Sequence, residues 1–132
     1  MSVARTSKKL KVGDLYTRRE LANKFAITDA TLNTGVFQPK GSASVWLFVT
    51  RKKPANRTQY VDSLTGDLLN WQGQTSGRTD LLIIEHDEQG LELLLFYREK
   101  ADTPFRYEGV FEYAEHSGAR PATFKLRRSK EN

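Results

Sequence analysis

The sequence predicts a mainly β (α+β) protein: a curved, mostly antiparallel sheet or partly closed barrel, preceded by one short N-terminal helix. Three observations carry this. About seven short segments rich in β-branched and aromatic residues are separated by turn residues, one early segment has helical spacing, and strand–helix–strand alternation is absent.

The helix comes first. In "YTRRELANKF", Thr17 stands three residues before Glu20, the spacing of a capping box, and Leu21 and Phe25 share one face, so residues 17–25 are expected to be helical with Leu15 and Tyr16 leading in. "ASVWLFVTRKK" is a strand with Val45, Leu47 and Val49 on one face and Trp46 and Phe48 on the other. Because both faces are apolar, it is expected at the centre of the sheet. After the turn "PANR", "TQYVDS" and "DLLNWQ" read as strands joined through Leu64, Thr65 and Gly66. "DLLIIEH" and "LELLLFYRE" flank "DEQG", which predicts a hairpin with Gly90 at positive φ. "FRYEGVFEYAEH" and "ATFKLRR" complete the set.

One domain is expected for residues 1–132, with a core at about 15–127 and frayed ends at 1–9 and 128–132. There is no cysteine, which excludes disulfides, Cys-ligated zinc and a Cys nucleophile. The longest apolar runs are strand-sized and the N-terminus is polar. No membrane association is therefore expected, and a cytoplasmic location is. The formal net charge is +5, but residues 1–79 carry 13 Lys/Arg against 5 Asp/Glu and residues 80–132 carry 8 against 11. A cationic surface built by the first part suits a polyanion; solubility alone is the other account of the same charge.

Catalysis finds little support. His86 and His116 share no metal-ligand spacing, and nucleotide-loop, serine-hydrolase and zinc-protease motifs are absent. Asp62, Asp67 and Asp80 fit turn chemistry better than a magnesium site. No cofactor, metal or catalytic residue is assigned. In "LNWQGQTSGRTD", by contrast, Trp71 sits among amides, hydroxyls and glycines. That composition has the parts for holding a nucleobase, an aromatic face and edge-reading amides, yet the local sequence alone favours a core or lid tryptophan whose indole N–H meets a glutamine.

Taken in order, "LYTRREL", "VWLFVTRKK", "YVDSLTGDLLNWQGQTS", "LLLFYREK" and "FRYEGVFEYAEHSGARPATFKL" resemble the SRA-like modified-cytosine-reading domain of type IV restriction systems. In those systems it is fused to phospholipase-D-type nuclease and helicase chains or to HNH nucleases. The most specific pieces are Trp-Gln-x-Gln at residues 71–74 and Tyr-x-x-His-Ser-Gly-Ala-Arg-Pro at 113–121. The resemblance implies an SRA/PUA-like fold and a non-enzymatic reader of 5-methylcytosine or a relative in double-stranded DNA, acting by base flipping. It further implies a bacterial cytosolic setting and a nuclease or helicase in cis, from which this chain would be excised, or in trans.

On that resemblance the modified-base pocket comprises Tyr60, Asp62, Trp71, Gln72 and Gln74. Tyr60 and Trp71 would supply stacking faces, and Asp62 would accept a hydrogen bond from the cytosine N4 amino group. Lys52, Lys53, Arg57, Arg78 and Arg120 would contact the DNA backbone. Two alternatives stay open on the sequence: a single-stranded nucleic-acid binder indifferent to modification, and a protein-interaction module of a defence system.

Overall fold

The doubly apolar segment around Trp46 lies at the heart of a mixed sheet. The computed structural model describes residues 5–28, 35–39, 42–51, 63–72, 83–86, 88–100, 102–118 and 123–129. Within these, a 3-10 turn at Thr6–Lys9 is followed by β1 (Leu15–Tyr16), α1 (Arg18–Phe25), β2 (Val36–Phe37), β3 (Ser44–Thr50), β4 (Ser63–Thr65), β5 (Leu68–Gln72), β6 (Glu92–Arg98), β7 (Phe105–Ser117) and β8 (Thr123–Arg128). The sheet order is β2-β3-β6-β7-β8-β5-β4, with β1 paired to β7. All pairs are antiparallel except β3 with β6, which run parallel in the register Ser44↔Glu92 to Thr50↔Arg98.

Both faces of β3 and β6 are buried, as the sequence of β3 requires. Val45, Leu47 and Val49 join Leu93, Leu95, Phe111, Leu69, Trp71 and Phe124 in one cluster. Trp46 and Phe48 join Leu94, Phe96, Phe105, Tyr107 and Leu21 in the other. The second cluster is roofed by α1. Its capping box is formed as expected, the Thr17 side chain accepting from the Glu20 N–H and the Glu20 carboxylate from the Thr17 N–H, and Ala26 closes the helix in the left-handed conformation.

The sheet rolls without closing. The Tyr97 phenol on β6 comes within reach of the Leu64 backbone on β4, four strand positions away, a gap of about 19 Å on a flat sheet. A single side chain spans it only because β8, β5 and β4 curl back over the first cluster. Burial pushes the Tyr97 phenol above its ordinary pKa, and the Leu64 backbone contact acts the other way. Two irregularities in β7 assist the bend, one opposite Leu95/Phe96 where Gly109 takes φ 104, and one between Tyr113 and Glu115. Arg128 clasps the roll, its Nε donating to Asp67 Oδ1 at 2.9 Å, its Nη2 to Glu108 Oε1 at 3.3 Å and its Nη1 to the Glu108 carbonyl. Tyr97→Phe removes the phenol contact alone and is expected to lower stability by about 1 kcal/mol. Amide exchange at β4 should accelerate with it; unchanged β4 protection would mean that the contact does not hold the roll.

Three expectations are corrected. "DLLIIEH" does not pair with "LELLLFYRE" as a hairpin: residues 83–84 are helical and 85–86 form a turn, closed by the Leu91 N–H on the His86 carbonyl at 2.8 Å. The reason is that β3 and β7 occupy both edges of β6, so Ile83 buries as a helical turn on the first cluster instead. Gly90 does take positive φ, at 70°, in the turn that leads into β6. At the N-terminus, the expected fray does not extend over residues 6–9: Thr6 is buried, and its N–H donates to Ser44 Oγ at 2.9 Å. At the other end Arg128 belongs to β8, and Ser129 is buried with its N–H on the Val110 carbonyl. The strand expected at 58–63 is described only from Ser63 onward, where β4 turns through Gly66, at φ 59, into β5.

Candidate nucleic-acid interface

β5 alternates cleanly, with Leu69 and Trp71 turned into the first cluster and Leu68, Asn70 and Gln72 half-buried on the other side. Trp71 is 5% exposed. It lies directly across the ladder from Phe124, and the two rings stack with centroids 5.7 Å apart and planes 28° from parallel. One face of the indole is thus taken by the protein itself. Gln72 pairs with Thr123 on the opposite face, the side that strict alternation assigns to it.

The stack continues beyond Phe124. His116 is paired with Phe124 across the β7–β8 ladder, and its ring centroid lies 5.8 Å from that of Phe124; Tyr113 sits 5.8 Å from His116 and edge-on to Phe124 at 6.4 Å. The Tyr113 hydroxyl and His116 Nδ1 are hydrogen-bonded. Residues three apart in a regular strand point to opposite faces. Here the bulge inserts Ala114 as an unpaired residue and resets the phase, so Tyr113 and His116 share the inner face while Glu115 turns out to meet Lys125 at 3.2 Å. Trp71 of one specific motif and Tyr113 and His116 of the other therefore meet over Phe124. Sequence reasoning named the motif at 113–121 but did not bring Tyr113 and His116 together with Phe124, because period two separates Tyr113 from His116 and the unpaired Ala114 becomes visible only once the ladder register is known.

A second feature lies where β3 and β6 end and β7 begins. The Arg98 and Arg18 guanidiniums lie 4.2 Å and 5.0 Å from the centre of the Phe105 ring, and Arg18 also lies 4.6 Å from that of Phe48. Arg98 is held by Thr50 Oγ1 at 2.7 Å and the Thr103 carbonyl at 3.2 Å. Burial, and then the neighbouring Arg98, lower the pKa of Arg18 from its ordinary value. Arg51, the residue before Lys52 and Lys53, is on the same edge, its N–H on the Arg98 carbonyl at 2.8 Å and its side chain 3.3 Å from Glu99. This edge is cationic and rests on aromatic rings, a surface suited to phosphate.

Of the residues assigned to the base pocket and the DNA backbone, Trp71 and Gln72 are the ones that can be placed. Tyr60, Asp62, Gln74, Lys52, Lys53, Arg57, Arg78 and Arg120 lie outside the described residues. His86 is buried with Nδ1 2.8 Å from the Ile83 carbonyl, whereas His116 is exposed. Among the described residues no three His, Asp or Glu side chains gather as a metal-ligating group, and no helix is long and apolar enough to cross a membrane.

Neither a protein-family model nor a curated protein matches the sequence. Solved structures do match the fold. The SRA domain of SUVH5 in complex with hemi-methylated CG DNA is similar with a TM-score of 0.59 at 18% identity, over 98% of this chain and 95% of that one. The same domain with fully methylated CG DNA gives 0.57 and with methylated CHH DNA 0.59, each at 19% identity and the same coverage. The rolled mixed sheet with its helix is an SRA-like fold.

Proposed function

We propose that this protein is a DNA-binding reader of modified cytosine. The observation that carries the reading is the SRA-like fold over nearly the whole chain, shared with domains that hold methylated DNA. Two features agree with it: the meeting of the Trp-Gln and Tyr-x-x-His motifs on one aromatic stack, and a cationic edge at the ends of β3 and β6. Planar rings and amides suit a nucleobase, and guanidiniums suit its phosphates.

In this reading the modified base is turned out of the duplex into a pocket formed by Tyr60, Asp62, Trp71 and Gln74, with Asp62 accepting from the cytosine N4 amino group, while Gln72, on the opposite face of β5, is turned toward the gap left in the duplex. Trp71, already stacked on Phe124, is the inner wall. Lys52, Lys53, Arg57, Arg78 and Arg120 bind the DNA backbone. The protein itself is not catalytic; it directs a nuclease or helicase, fused or separate, to modified DNA in the bacterial cytosol.

A fluorescence titration with matched duplexes, one carrying 5-methylcytosine, at two salt concentrations tests this. The modified duplex is expected to bind about tenfold more tightly, and Asp62→Ala to erase that preference. Lys52→Ala should weaken both duplexes alike and flatten the salt dependence. Equal, steeply salt-dependent binding by the wild type would replace the reading with a general nucleic-acid binder, and no binding to either duplex would sink both.

A further inference from the structure

The aromatic stack is closed at one end and open at the other. Trp71 is 5% exposed and Phe124 is fully buried, while His116, the third ring, is exposed. An exposed side chain normally keeps its rotamer freedom, and fixing it costs entropy. His116 is nonetheless restrained by three contacts with two residues: the Phe124 ring at 5.8 Å, the Tyr113 ring at 5.8 Å, and the hydrogen bond between the Tyr113 hydroxyl and Nδ1. With the phenol donating to Nδ1, a neutral imidazole carries its proton on Nε2 and offers a donor there. The result is a pre-oriented planar ring with a polar edge, where the ends of β5, β7 and β8 come together at Gln72, Ser117 and Thr123.

Resting on the reader function above and deepening it, we infer that His116 is a nucleobase-contacting residue of that site. It stacks a DNA base on the ring face turned away from Phe124, and Tyr113 is the residue that positions it. The division of labour follows from exposure: Trp71 and Phe124 are the buried footing, and His116 is the ring that the footing presents. A ring that only sealed the core would be buried, and a ring that only solubilised the surface would not be held by both Phe124 and Tyr113. The bulge at Ala114 exists in this scheme to bring His116 onto the inner face.

The test is fluorescence anisotropy with labelled duplexes, one with a single 5-methylcytosine and one unmodified, on the wild type and on His116→Ala, His116→Phe and Tyr113→Phe, each checked by thermal unfolding. His116→Ala should weaken the modified duplex about tenfold, the effect of losing one stacking partner. It should leave the unmodified duplex and the unfolding midpoint nearly unchanged. His116→Phe should restore most of the affinity because a π-face suffices, and Tyr113→Phe should fall between wild type and His116→Ala. Wild-type affinity in His116→Ala overturns the inference, as does an equal loss on both duplexes or a failure of His116→Phe to recover. If the wild type itself shows no preference, the reader function fails instead. His116 is then judged on total DNA affinity: loss in His116→Ala with recovery in His116→Phe supports the base contact, and unchanged binding overturns it.

Discussion

Replacing Trp71 with alanine is expected to lower the unfolding free energy by about 3–5 kcal/mol, the range for truncating a fully packed aromatic ring. The indole is 5% exposed, faces Phe124 across the ladder and touches a cluster that runs from Val36 to Leu126. Removing it leaves Phe124 without its stacking partner and undermines His116 on the other side of Phe124. Trp71→Phe keeps a ring in place and should cost roughly half as much or less. Urea unfolding followed by far-ultraviolet circular dichroism measures both. Trp71→Ala as stable as the wild type would mean that the ring is not part of the core at all. Because the alanine variant compromises the footing, Trp71→Phe is the substitution on which DNA affinity should be read.

Glu92→Ala should cost about 3 kcal/mol and release the N-terminal segment. The carboxylate is 5% exposed and accepts three hydrogen bonds, from the Ser7 N–H at 3.1 Å, Ser7 Oγ at 2.7 Å and Ser44 Oγ at 2.6 Å. Ser44 Oγ in turn accepts the Thr6 N–H at 2.9 Å, and Thr6 Oγ1 accepts the indole N–H of Trp46 at 2.9 Å. Bonds to a charged acceptor are the strong ones, and its loss leaves buried donors unpaired. Glu92→Gln keeps the size and one acceptor and should fall between. Proteolysis near residues 5–9 under native conditions, slow in the wild type and fast in Glu92→Ala, reports the release directly. Equal cleavage rates would show that the segment is held by something other than Glu92.

How much was legible in the sequence can be judged residue by residue. The capping box of Thr17 and Glu20 and the two-faced burial of β3 are local patterns, set by one turn of helix and by period two, and both formed as expected. The hairpin before β6 failed because an apolar run such as "LLII" fits a helical turn or a strand equally well. Only the occupied edges of β6 decide between them. The docking of residues 6–9 was invisible because "TSKK" is polar, and its partner Glu92 lies 85 residues away from Ser7. At the site, Gln72 and Trp71 fell on the opposite faces that alternation assigns. The convergence of Trp71 with Tyr113 and His116 was not legible, since it depends on a bulge at Ala114 and on β8 lying between the two motifs.

The parallel pairing of β3 with β6 has a consequence for how the chain reaches this state. Every rung between β3 and β6 joins residues as far apart as Ser44 and Glu92, 48 positions along the chain. No tight turn can nucleate that seam. The hairpins β4–β5 and β6–β7 can form early, but the most deeply buried contacts of the sheet wait for a large loop to close. Such non-local pairing places folding in the millisecond-to-second range rather than the microsecond range. During synthesis, β3 must remain unpaired on that edge until residue 98 has emerged.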